Sequence, residues 1–334
     1  MRHVRLLYVT NSHIILYERC KARFVIEADY ETDEDSIEKL TEKLALQPTS
    51  TTYLLVDTID EQYNYGNVPH VNRKDRQQVL DRYARRVYRN SSFRYTTIQG
   101  RENSGRRDDK VLCTTITNQG VIKPLLSALQ THRIAVGGIY SLPLVSQEIF
   151  KYLPKKTNHT LLVTRLSTGL RLSFFDNGHL KMSRVAPVHD GSSQEQLTLI
   201  QKEVEKTQHY LGRMRLLARD KPITVAIIGD KSLHLECQSK CSDTKDIKYI
   251  VADILDLIEC EKIDGVINTE TCDIVFAYLL LNKPVCNHYA SEKDLHHNKI
   301  YRIAAYMRSA SVMSFIGAII AGIGFNALAL TYSE

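Results

Sequence analysis

The feature that most constrains this chain is an uncharged stretch near its end, Ser309 to Ser333, which reads SASVMSFIGAIIAGIGFNALALTYS. A helix rises 1.5 Å per residue, so about 20 residues cross a hydrocarbon core of about 30 Å. The stretch is long enough and is expected to span a membrane. The competing reading, a helix buried in a protein core, suits its length and terminal position less well. Small residues recur on one face at Ser314, Ala318 and Gly322, and on the next at Gly317, Ala321 and Gly324. Such faces let another helix approach closely, or are simply common in membrane segments.

The flanks set an orientation. Lys293, Lys299, Arg302 and Arg308 precede the stretch and only Glu334 follows it, so the preceding body is expected on the cytoplasmic side. The opening MRHVRLLYVTNSH is basic but has no apolar run long enough for a signal peptide. The chain is expected to be a cytoplasmic body on a C-terminal anchor, either tail-anchored or part of a longer protein.

A body of about 300 residues exceeds the usual single core, so two domains or subdomains are expected. Apolar content of 43% and charge content of 25% allow a sizeable core. The net charge of +6 is modest and comes largely from Arg73 to Lys110. Seven cysteines, Cys20, Cys113, Cys237, Cys241, Cys260, Cys272 and Cys286, lack framework spacing and read as reduced thiols. Cys237 and Cys241 have no matching second pair, so a zinc site is not expected.

The opening reads as three strands, RLLYVTN, HIILYER and ARFVIEADY. A helix capped at Thr32 with Ile37, Leu40 and Leu44 inward follows, and then the continuously apolar strand TYLLVDT. From about 67 to 117 the composition changes. A basic helix from Asn72 to about Arg89 and a hairpin, SFRYTTIQG and KVLCTTIT, read as an insertion. A helix from Asn118 to His132, the strand AVGGIYS and a helix from Ser141 to Leu153 close the first half. Pro154 to Thr157 form the boundary. The order then repeats as HTLLVTR, LRLSFFDNG, HLKMSRVAP, a helix opened by the capping box Ser192 to Glu195, and the apolar strand ITVAIIGD. Helices around Ile254 to Ile258 and from Thr269 to Leu281 finish the second half. The domains expected are 1–154, 155–286, a polar neck over 287–308 and the span over 309–333.

Two modules, each built as strand, strand, strand, helix, strand, resemble the tandem RNase-H-like halves of the actin-like ATPase fold. With a single C-terminal span, the chain resembles the L protein of type II secretion systems (GspL), the M protein of type IV pili (PilM) and the MSHA-pilus biogenesis protein. The resemblance rests on order and on phrases such as LLVTRLSTGLRLSFFDNG followed by LKMSRVAP. It implies an α/β fold, a single-pass protein of the bacterial inner membrane, and a scaffold rather than an enzyme. Its implied partners are a secretion or pilus assembly ATPase, bitopic and polytopic membrane components, and a second copy of itself.

The nucleotide loops of such folds need an aspartate for magnesium and glycines that admit phosphate. Here the first turn is Thr10-Asn11-Ser12-His13 and the second Arg165-Leu166-Ser167-Thr168-Gly169, neither with an acid. The glycine pair expected after the last strand is reduced to Gly229, and Gly137-Gly138 lies in the connection between halves. No cofactor is expected. Should ATP and magnesium bind, Thr10, Asn11, Ser12, Ser167, Thr168, Gly169 and Gly229 are the candidates, with Asp57, Asp176 or Asp230 as the carboxylate.

Asp57 and Asp60, near the end of a buried strand, otherwise read as a plain loop rather than a carboxylate pair, and His288 and His296-His297 as parts of a solvated neck rather than metal ligands. The cations Arg73, Lys74, Arg76, Arg82, Arg85, Arg86 and Arg89 suit anionic lipid or an acidic partner, or are a solvated face. Nucleic acid is not expected, because Tyr83, Tyr88, Phe93 and Tyr95 fall on core faces or strands.

Overall fold

A computed structural model of the chain describes residues 3–20, 23–153, 158–188, 191–218, 221–258, 263–264, 270–282 and 285–331. The boundary expected at 154–157 lies outside them, as does Thr269.

The opening strands pair in sequence order. β1 (Val4–Val9), β2 (His13–Cys20) and β3 (Arg23–Glu31) form an antiparallel meander. α1 (Glu34–Ala45) crosses over, and β4 (Thr51–Val56) returns parallel to β1. Asp33 rather than Thr32 caps α1, its carboxylate accepting from the Ser36 N–H, while the Thr32 hydroxyl donates to the Asn11 carbonyl. Successive β1 side chains are buried on both faces of the sheet, as a central strand requires.

β4 leads into a separate sheet ordered β5-β7-β6, made of β5 (Glu61–Val68), β6 (Arg94–Arg101) and β7 (Asp109–Ile116). α2 (Arg73–Val87) lies on one face of it through Leu80, Tyr83 and Ala84. The sheet begins at Glu61, before the composition changes. β5 escapes a sequence reading because only Val68 of its eight residues is buried. α3 (Ile122–Thr131) and β8 (Val136–Ser141) complete the first module, with β8 parallel to β4. Gly137 and Gly138 are in this strand and not in a connection. A Cβ on Gly137 would lie 2.5 Å from Tyr53, so close strand packing accounts for the glycine. The single helix expected from Ser141 to Leu153 is a short α4 (Leu142–Val145) followed by a 3-10 turn, Ser146–Lys151.

The second module repeats the plan with β9 (His159–Leu166), β10 (Gly169–Asp176), β11 (His179–Ala186), α5 (Ser193–Arg213) and β12 (Ile223–Gly229). α6 (Lys231–Lys240), which no apolar stripe announces, connects to β13 (Ile247–Asp253). Then come α7 (Ile254–Leu257), the two-residue β14 (Ile263–Asp264), α8 (Asp273–Asn282) and α9 (His296–Thr331). The sheets are ordered β14-β3-β2-β1-β4-β8 and β11-β10-β9-β12-β13. β14 aside, both follow one order: third, second, first, fourth, fifth strand.

Helices α1 and α3 cover one face of the first sheet, and α5 and α6 cover the second. The inner faces share one core. Leu6, Tyr8 and Leu55 meet Leu162, Ala226 and Ile228 there, with the apolar α8 between them. α8 is buried all round, as a helix without a polar face must be.

The neck does not stand free. Residues 287–289 run along β8: the Ile139 N–H donates to the Asn287 side chain, and the Ile139 carbonyl accepts from the backbone of His288 and Tyr289. Gln130 donates to Asp294, Thr51 to Asn298, and Tyr301 to the Arg133 carbonyl. From His296 the chain is one helix of 36 residues, about 54 Å long. Its His296–Ile323 part has a window of mean hydropathy 1.5 with none of it buried, long and apolar enough by composition to cross a membrane. The stretch from Ser309 is thus part of a longer helix that starts at His296. Side chains beyond Ile323, and so the packing of Gly324, are not described.

Candidate functional site

The ends of β4, β9 and α8 meet between the modules, where the resemblance to the actin-like fold implies a nucleotide cleft. The centre is Asp57, the residue after β4, with no exposed surface. Arg171 reaches it from the middle of β10. Its guanidinium forms an ion pair with one carboxylate oxygen and donates to the Thr58 carbonyl (3.1 Å) and the Ser183 hydroxyl (3.0 Å). The other oxygen accepts from the Thr168 hydroxyl (2.6 Å) and the Tyr8 hydroxyl (2.8 Å). Three donors thus occupy the carboxylate. Two of them, Arg171 and Thr168, come from the opposite module.

Burial alone would lower the pKa of Arg171. Asp57 first, then Tyr63, Glu61 and Tyr8, outweigh it and hold the guanidinium above its ordinary value. Burial raises Tyr8, and the charges of Asp273 and Asp57 add to the rise. Asp273, in the first turn of α8, accepts from the Ser167 N–H (3.1 Å) and hydroxyl, yet burial raises its pKa above the ordinary value. The centre is a closed clasp of one cation, two acids and four hydroxyls. Magnesium placed here would meet a guanidinium at van der Waals range, and the repulsion is severe in a buried site.

Thr10 closes the β1–β2 turn by accepting from the Ser12 and His13 N–H groups. Asn11 accepts from the Thr58 hydroxyl (3.0 Å). Ser167 and Thr168 serve the clasp as above, and Gly169 sits at φ +128, a conformation favouring glycine. Both hairpin turns therefore converge on Asp57–Thr58, and neither turn carries an acid of its own to hold magnesium. Gly229 is elsewhere. With Arg165, Ser192, Ser193, Asp230 and Cys272 it lines a separate cleft of about 420 Å³.

Of the three carboxylates considered, only Asp57 is at the centre. Asp176 pairs with His159 and Asp230 caps α6. Asp57 is no plain loop residue, and Asp60 is not its partner. Asp60 lies 3.5 Å from the Asn11 amide. Arg171, Tyr8 and Asp273 are not among the residues picked out by sequence. The available signal is a charged side chain inside a strand, GLRLSFFD, whose other residues are almost all buried.

His288 is no solvated residue either. It is half-buried between the rings of Tyr95 (4.8 Å) and Tyr140 (5.5 Å), and its Nδ1 accepts from the Ser141 N–H. Burial pushes its pKa down to about 3, so the ring is neutral. Beside it Tyr289 donates to Glu61 and lies 2.8 Å from Thr114, and burial raises the Glu61 carboxyl.

On α2, Arg73, Lys74, Arg82, Arg85 and Arg86 are exposed. Arg76 is half-buried, Arg86 lies over the Tyr83 ring (5.3 Å), and Arg89 is exposed beyond the helix end. The insertion leaves the first module at the C-terminal end of β4, whereas α9 touches its N-terminal end through Thr51. Opposite the α2 face, Gln99 donates to the Leu180 carbonyl (2.6 Å) and accepts from Lys181 (2.8 Å), so the insertion also bridges to the second module.

Two tandem RNase-H-like modules around a central cleft define the actin-like ATPase fold. No protein-family model matches the sequence, and no curated protein matches it. Among solved structures the chain is similar to one described as the PilM-PilN type IV pilus biogenesis complex, with TM-score 0.51 and 10% identity over 84% of this chain and 98% of that one. It also matches the cytoplasmic domain of EpsL, an inner-membrane component of the type II secretion system of Vibrio cholerae, with TM-score 0.47 and 8% identity over 86% and 98%. A Bacteroides thetaiotaomicron protein of actin-like ATPase fold and unknown function matches with TM-score 0.43 and 8% identity over 83% and 95%. At such identities the first match establishes the fold.

Proposed function

We propose that this protein is a non-catalytic, single-pass scaffold of the bacterial inner membrane in a type II secretion or type IV pilus-like assembly. The observation that carries this reading is the clasp. Arg171 and Thr168 of one module saturate Asp57 of the other where magnesium and phosphate would have to enter. The fold shared with a pilus biogenesis protein and the long apolar α9 support the placement. The body would dock an assembly ATPase or partner subunit, and α9 would join it to bitopic and polytopic membrane components. The basic face of α2 is offered to an acidic protein surface. Its insertion begins at the end of β4 remote from α9, which favours protein over lipid.

The test is calorimetric titration of the detergent-solubilised chain with Mg-ATP, with ADP and GTP as controls. No saturable heat is expected, and micromolar binding would overturn the reading. In that event the second reading, an ATP-binding switch with diverged phosphate loops, gains from the cleft of about 420 Å³ at Gly229, bordered by the starts of α5 and α6.

A further inference from the structure

α9 leaves the body close to where its charge runs out. Among the described residues, its last hydrogen bond to the body is that of the Tyr301 hydroxyl to the Arg133 carbonyl, just before β8. Only Arg302 to Arg308 separate that contact from the uncharged stretch, a length of about 10 Å at 1.5 Å per residue. Within it Tyr306 is 73% exposed, and a tyrosine beside an apolar segment belongs at the level of the lipid headgroups. Tyr306 follows Tyr301 by about 8 Å along the helix. The end of the first module from which α9 departs is thus held within about one Debye length of the headgroup layer.

Two turns form that end. Residues 46–50 join α1 to β4, residues 132–135 join α3 to β8, and the Ala135 N–H donates to the Pro48 carbonyl (2.9 Å) to tie them together. The first turn leads into Thr51, which holds Asn298 of α9. It carries Leu46, which at 82% is the most exposed large apolar side chain among the described residues. A lone exposed leucine is ordinary on a water-facing surface, so its position is what matters. The second turn carries Arg133, exposed, at φ +54 and without an acid partner among the described residues. Arg302 is exposed beside it, and the nearby acid Glu292 is already paired with Lys299. Glu42, the exposed acid of α1 nearest to Leu46, lies one helical turn further back.

We propose that this end of the first module rests on the bilayer, with Leu46 set among the headgroups and Arg133 paired with an anionic lipid. Lipid is the occupant because the gap is too small for anything else. A separation of about 8 Å is less than the diameter of one helix, so no folded partner fits between the turns and the headgroups. Apolar and cationic side chains presented together are also what an anionic interface binds. The contact fixes the rotation of the body about α9 and turns α2, reached from the opposite end of β4, away from the membrane. The inference rests on the membrane-anchored part of the proposed function and on nothing about the machine.

The experiment uses the full chain reconstituted in phosphatidylcholine vesicles, with and without phosphatidylglycerol, after Cys20, Cys241, Cys260 and Cys286 are changed to serine. Thr49→Cys beside Leu46, Ile59→Cys beyond the far end of β4 and Ile316→Cys in the uncharged stretch are each labelled with an NBD fluorophore, and quenching by doxyl-labelled lipid is measured. Quenching at 49 should exceed that at 59 at least about threefold, because the quencher acts at contact and β4 sets the two positions roughly 20 Å apart. Phosphatidylglycerol should raise the signal at 49 about threefold, and Arg133→Glu should abolish that rise. Leu46→Asp, at a side chain the fold leaves exposed, should lower the signal in both kinds of vesicle. Quenching at 316 with equal signals at 49 and 59 would overturn the contact and keep the span. Absence of quenching at 316 would remove the span, and the contact then survives only if 49 is still quenched above 59. A probe at 49 that shifts to the blue in vesicles without lipid quenching reports a protein cover, a second copy included, and overturns lipid as the occupant.

Discussion

Changing Asp57 to Asn leaves the Arg171 guanidinium charged, buried and without its counter-ion. Asp57 has no exposed surface and the Arg171 side chain only 2%, so solvent does not screen the loss. Breaking such a pair from one side costs about 3–5 kcal/mol. Arg171→Met alone should cost less, because the carboxylate retains Tyr8 and Thr168 as donors and can take up a proton. The double variant Asp57→Asn/Arg171→Met removes both charges and keeps an oxygen for Tyr8 and Thr168. It should return to within about 2 kcal/mol of the parent. Urea titration followed by tyrosine fluorescence suits a chain with 18 tyrosines and no tryptophan. The reasoning fails if Asp57→Asn costs less than about 1 kcal/mol, or if the double variant loses the sum of the two singles, since paired groups must couple.

The neutral His288 should make the protein acid-sensitive. Its folded pKa lies below its ordinary 6.5, so its contribution is complete above pH 6.5 and is lost as pH falls toward 3. His288→Asn, which keeps an acceptor for the Ser141 N–H, should flatten the stability profile over that range, and an unchanged slope would contradict the burial argument. Asp273 has the opposite sign. Its pKa is raised above 3.8, so its contribution is whole below that pH and fades as the folded carboxyl ionises. Asp273→Asn should therefore gain on the parent as pH climbs from 4 to 7, and a constant gap would refute this. Ser192→Ala removes the side-chain half of the α5 capping box and should cost about 1 kcal/mol in the same titration.

What could be read from the letters followed periodicity. The two meanders, the buried β4 and β12 and the capping box of α5 all show a regular apolar or polar pattern, and the modular order follows from them. β5 and α6 show none. The first is exposed along most of its length, and the second buries only Leu233 and Cys237. The turns Thr10–Ser12 and Ser167–Gly169 could be located, but not their partners. Arg171 is 114 residues from Asp57, and Asp273 is 106 from Ser167. Such pairings are made by two modules folding against each other, which no local pattern records. The solvated surroundings expected for His288 differ from those observed for the same reason. NHYA is polar in sequence, yet Asn287 and His288 spend their polar atoms on the backbone of β8.

These long-range pairings place β4 between α9 and the second module. Its first residue, Thr51, donates to Asn298 of α9, and the residue beyond its last, Asp57, holds Arg171. The strand has six residues and separates the two contacts by about 20 Å. Buried along most of its length and paired on both sides, it is held firmly by its neighbours. Rigidity has a measurable consequence. Asn298→Ala and Asp57→Asn act at opposite ends of an element that does not change state, so their effects on stability should add within about 0.5 kcal/mol. An interaction above about 1 kcal/mol would mean that β4 moves between two arrangements and that both sites bias it. That result would turn the reading from scaffold to switch.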